Sequence, residues 1–99
     1  MGIGSAEKHL EISQPPDSVF IQARRALEGI GKIKEMDEDA LFLRGSTRYG
    51  LQKVRLKVFI KADGEGSRLT IKALADDVWG KGARKGCERL LEALGYGGQ

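Results

Sequence analysis

Between residues 51 and 62 apolar and charged side chains alternate: Val54, Leu56, Val58 and Ile60 on one side, Lys53, Arg55, Lys57, Phe59 and Lys61 on the other. A period of two places successive side chains on opposite faces of extended backbone, so this segment reads as a strand with one buried and one wet face. Asp63-Gly64-Glu65-Gly66 follows as a hairpin turn whose glycines supply positive φ. Residues 67–75 keep the alternation, with Leu69, Ile71 and Ala73 inward against Arg68, Thr70, Lys72 and Leu74. Turns this short join antiparallel neighbours. The apolar face of such a sheet needs a cover.

Two helical patterns supply it. Pro15-Pro16-Asp17-Ser18 precedes Val19, Phe20, Ala23, Leu27 and Ile30, which recur at three- and four-residue steps. Proline suits the first helical position, and Asp17 complements the positive end of the helix dipole. This helix ends near Gly29 or Gly31. The second places Ala83, Cys87, Leu90, Leu91 and Leu94 on one stripe and stops at Gly95. Asp76 and Asp77 cap or charge its start, and residues 77–82 read equally as loop. Its glycines, Gly80, Gly82 and Gly86, each cost about 1 kcal/mol of helix propensity, which close packing against the sheet or the first helix would offset.

The remaining strand segments are residues 7–13 with Leu10 and Ile12, residues 31–36 with Ile33, and residues 40–48 with Leu41 and Leu43. Asp37-Glu38-Asp39 and Tyr49-Gly50 are turns. The expected order is β-α-β-β-β-β-α: an α+β fold with one antiparallel sheet of about five strands, the first returning to pair within the meander, and both helices on one face. At 99 residues the chain is expected to be a single domain, with residues 1–6 and 96–99 as flexible ends.

The opening Ile12-Ser-Gln-Pro-Pro-Asp-Ser-Val-Phe and the amphipathic closing helix resemble those of START-like (Bet v 1-like) ligand-binding domains. Those domains run longer and carry a second short helix before the sheet continues. The β-α-β4-α order also resembles the half-repeat of TATA-box-binding proteins and a group of small bacterial domains of unknown function. The ending Leu69-Thr-Ile-Lys-Ala-Leu-Ala-Asp-Asp, with the later Leu-Leu-Glu-Ala-Leu, is similar to that bacterial group. These resemblances imply a fold, which does not by itself assign an activity.

Charge placement is the strongest functional signal. Residues 40–62 hold six basic side chains and no acid, whereas the rest of the chain holds 11 basic and 14 acidic residues. Strand parity sends Arg44, Arg48, Lys53, Arg55, Lys57, Lys61, Arg68 and Lys72 to the outer face, joined there by Phe42 and Phe59. Such a face fits an anionic partner, nucleic acid or an acidic protein: cations meet phosphates while rings stack on bases. The plainer reading is that Lys and Arg keep a solvent face soluble and protect sheet edges, while Phe42 and Phe59 bury against each other or in a dimer contact.

Other chemistry is weakly represented. Residues 80–86 miss both phosphate-loop templates: Lys85 replaces the third glycine of a dinucleotide fingerprint, and no Gly-Lys-Ser/Thr occurs. His9 is expected on the surface, and Cys87 as a small inert hydrophobe in the second helix. With one cysteine there is no intrachain disulfide and no Cys-based zinc site, and no metal or cofactor is expected. Trp79 covers the open end of the core or lines a groove between helix and sheet.

The expected function is a non-enzymatic binding or interaction module acting through the basic face. The alternatives are a small-ligand carrier or enzyme using a helix–sheet groove near Trp79, and a homodimerisation module. No apolar run approaches the ~20 residues of a membrane span. The start also lacks a signal peptide and misses the myristoylation pattern at Ala6. A cytoplasmic location is expected, although a leader removed earlier would leave the same start.

Overall fold

The computed structural model describes residues 4–76 and 81–96. The elements are β1 (Gly4–Ile12), α1 (Pro16–Ile30), β2 (Gly31–Asp37), β3 (Phe42–Tyr49), β4 (Gln52–Asp63), β5 (Gly66–Ala75) and α2 (Lys81–Leu94). The strands form one antiparallel sheet in the order β1-β5-β4-β3-β2, and the helices cover one of its faces. The expected α+β architecture is therefore observed, with β1 returning to the free edge of β5.

Helix α1 starts as its prolines dictate. Pro15 is extended at the N-cap, Pro16 takes the first turn, and the Val19 amide donates to the Pro15 carbonyl at 3.1 Å. The helix runs directly into β2, with the Gly31 amide donating to the Leu27 carbonyl. A Cβ at Gly31 would lie 1.8 Å from the Ser46 carbonyl oxygen, so only glycine lets β3 approach this junction. Helix α2 ends at Gly95, whose φ of 94° is the left-handed stop expected of it; the Tyr96 amide then donates to the Leu91 carbonyl at 2.8 Å.

Between sheet and helices lies one continuous cluster of buried apolar side chains. Leu27, Leu43, Leu56, Leu69, Ile71 and Leu90 are fully buried, as are Val19, Val54, Val58 and Cys87. The α2 glycines allow direct contact with the sheet: a Cβ at Gly86 would meet Val54 Cγ1 at 2.6 Å, and one at Gly82 would meet Gln52 Oε1 at 2.0 Å. The two buried hydroxyls that reach into the seams are satisfied. Thr47 Oγ1 donates to the Ile30 carbonyl at 2.8 Å, and Ser67 Oγ donates to the Gln14 carbonyl at 2.6 Å.

Several details depart from the sequence expectations. Strand β1 begins at Gly4, so residues 4–6 are not a free end but pair with residues 73–75. Leu41 lies in the β2–β3 turn with φ 55°, outside β3. The Asp37 carboxylate closes that turn by accepting the Asp39 and Ala40 amides, each at 3.0 Å. In the β4–β5 hairpin only Gly64 has positive φ; Gly66 is needed because its backbone lies against the Ile12 carbonyl. Residues 77–80, including Trp79, lie outside the described residues.

Candidate functional site

The register fixes which outer-face side chains share a row. One row runs Glu35, Arg44, Lys57, Lys72, Glu7 from β2 to β1. Its acidic ends pair with the flanking bases: Arg44 Nε lies 3.0 Å from Glu35, and Lys72 Nζ lies 3.9 Å from Glu7. Lys57 stands between them, with no carboxylate within 4 Å among the described residues. The next row runs Lys32, Ser46, Arg55, Leu74, Ser5. Arg55 there makes only a long 3.9 Å contact to the exposed Asp76.

These rows line a concavity of about 780 Å³ on the helix-free face. It gathers Arg44, Lys53, Arg55, Lys57 and Lys72 from the expected set, and adds Lys34, Ser46 and Leu74. A smaller hollow of about 300 Å³ adjoins it at the β2–β3–β4 corner, sharing Lys34, Ser46 and Lys53 and adding Lys32 and Arg48. Lys61 and Arg68 face each other across β4 and β5 but line neither hollow.

Lys34 owes its place to a β-bulge. The β2–β3 register shifts between Ile33 and Glu35, leaving Lys34 as the extra residue. A bulge re-aims a side chain, and here it puts Lys34 beside Lys53. Lys34 accordingly holds the Lys53 ammonium below its ordinary pKa, with partial desolvation and the charges of Arg55 and Arg48 acting in the same direction. Outward parity around Ile33 was the available sequence signal for Lys34; the bulge itself has none.

Phe42 and Phe59 sit directly opposite each other on the outer face. Their rings pack together with centroids 5.1 Å apart, and Lys72 Nζ sits 5.5 Å from the Phe59 centroid. This is the mutual packing that the sequence also allowed for the pair, and both rings remain half-buried on the outer face.

The expected surface histidine sits on the sheet as predicted. His9 Nε2 lies 2.7 Å from Glu7, and its Nδ1 lies 3.1 Å from Thr70 Oγ1. Burial pushes the Cys87 thiol up to about 11, so it holds its proton at neutral pH. Among the described residues, no group of three or more His, Cys, Asp or Glu side chains is placed to hold a metal ion. No described helix is long and apolar enough to cross a membrane.

The sheet-and-helix frame recurs in solved structures. It aligns with the crystal structure of Ara h 8.0201 at a TM-score of 0.65 and 14% identity, over 96% of this chain and 97% of that one. CalU16 from Micromonospora echinospora aligns at 0.64 and 14% identity, over 94% of this chain and 83% of its own. A member of the major latex protein family from Arabidopsis thaliana aligns at 0.58 and 12% identity, over 77% and 78%. What is shared is the fold. These neighbours are small α+β domains, and none of the three is named as a TATA-box-binding protein. No protein-family model and no curated protein matches the chain.

Proposed function

We propose that this chain is a non-catalytic small-ligand-binding domain that takes an anionic molecule on the concave, helix-free face of its sheet. The observation that carries this reading is the hollow of about 780 Å³ lined by Lys34, Lys53, Arg55 and Lys57. Small-molecule sites occupy roughly 300–1,000 Å³. Likeness in fold to Bet v 1-type domains supports a small ligand over a polymer. At Gly86 helix α2 packs directly on Val54, so no void separates helix and sheet at that point.

The charge layout weighs against nucleic acid on the same face. Glu7 and Glu11 lie on edge strand β1, and Glu35 and Asp37 on edge strand β2. A strand crossing the sheet would run its phosphates past these acids, whereas a small anion stays over the basic middle. A homodimer built face to face would oppose two copies of the Lys57 row, at a Coulombic cost. The second reading is a ligand held between helix and sheet near Trp79, supported by the same fold likeness.

An amide-resolved NMR titration with inorganic pyrophosphate, and with short single- and double-stranded DNA, each at two salt concentrations, separates these readings. The proposal expects salt-sensitive shifts for pyrophosphate at residues 34, 46, 53–57 and 74. Tighter binding of DNA, with shifts reaching Arg68 and Lys61, would replace the small ligand by a polymer. Silence toward every anion at low salt would move the search to the segment around Trp79.

A further inference from the structure

Charge and polarity change along the hollow. At the β2 end Lys32, Lys34, Arg48 and Lys53 have no carboxylate within 4 Å among the described residues. Arg55 stands in the middle. At the β1 end the outward side chain in the lining is apolar, Leu74, and the charges there, Lys72 and Glu7, compensate each other at 3.9 Å. Leu74 is 38% exposed on a strand whose other outward positions are Arg68, Thr70 and Lys72. An exposed leucine beside a cationic cleft has no evident role in solubility or in the core.

Resting on the proposed ligand-binding reading, we infer that the ligand is a small amphiphile with a phosphate-class dianionic head. The head lies at the corner of Lys34, Lys53 and Arg48, and the apolar body runs past Arg55 to Leu74. Two charges on the head are needed to balance a corner holding several uncompensated cations. From Lys34 on β2 to Leu74 on β5 is three strand spacings, about 14 Å, which a short alkyl or aryl body spans. Reversed, the ligand would set its anion beside the already compensated Lys72–Glu7 pair and its apolar end among unpaired ammonium groups, so the gradient also fixes its direction.

The test compares inorganic phosphate with octyl phosphate, the latter below its micelle concentration, by calorimetry and amide NMR. Octyl phosphate is expected to bind at least about tenfold more tightly, since burying two methylenes is worth that much. Leu74→Asn should shrink this advantage and leave inorganic phosphate unaffected. Lys34→Glu with Lys53→Glu should remove both ligands, with an unchanged thermal melt confirming the fold. Equal affinity for the two phosphates overturns the amphiphile and leaves the anion-binding reading standing. Failure of both overturns the two together. Binding to phosphatidic acid vesicles without binding of free octyl phosphate would place the head group in a membrane, and would also overturn the inference.

Discussion

Lys34, the extra residue of a bulge on edge strand β2, lies beside Lys53 of β4, two ammonium groups brought together on one wall of a basic hollow. Folding places these like charges side by side, which costs stability unless an anion joins them. Lys34→Met should therefore bring the Lys53 pKa up toward its ordinary range, read by titrating the Lys side-chain resonances. The sign for stability follows: a lysine depressed in the folded state destabilises while charged, and stability recovers as pH rises through its folded pKa toward the unfolded one. A Lys53 titration unchanged by removal of Lys34 would separate the two groups.

Cys87 gives the opposite sign. Its folded pKa of about 11 lies above the ordinary thiol range, so the folded state keeps a proton that the unfolded state loses first. Its contribution is whole below about pH 8.5 and is lost as pH rises toward 11, by about 2–3 kcal/mol. Urea unfolding at pH 8 and pH 11 should show a steeper alkaline loss for the wild type than for Cys87→Ala. The native thiol should also resist a disulfide reagent at pH 8; rapid labelling of the folded protein would contradict its burial.

The two described α2 glycines should separate by what their added methyl meets. Gly86→Ala drives a Cβ into Val54, a core side chain with nowhere to go, and should cost about 1–3 kcal/mol despite the gain in helix propensity. Gly82→Ala meets the end of Gln52, which can swing aside, and should cost less. Denaturant midpoints decide; equal losses would mean that Gln52 cannot swing aside any more than Val54 can.

Phe42 and Phe59 should behave as a structural pair. A double-mutant cycle to alanine is expected to show about 0.5–1.5 kcal/mol of coupling, with pyrophosphate affinity unchanged in each variant. A large loss of affinity with little coupling would return the rings to the binding surface.

Much of the frame was legible because it rests on periodicity. The alternation around Val54 and Leu69, the helical stripes through Leu27 and Leu90, and the stops at Gly31 and Gly95 each follow from local geometry. The basic face was legible by parity alone. What escaped depends on pairing between distant strands: the bulge that re-aims Lys34, the carboxylates of Glu35 and Glu7 that neutralise Arg44 and Lys72, and the pairing of residues 4–6 with β5. Phe42 and Phe59 were seen to share a face, but only the β3–β4 register sets them directly opposite each other.

The most direct measurement is calorimetric titration of pyrophosphate into the wild type and into the Arg55→Glu/Lys57→Glu variant at low salt, with a thermal melt of each. Both substituted side chains are exposed, so the melts should agree within the few tenths of a kcal/mol usual for surface changes. The wild type should bind, and the variant should show no heat. Equal binding by the two proteins would show that the basic face of the sheet is not the ligand site.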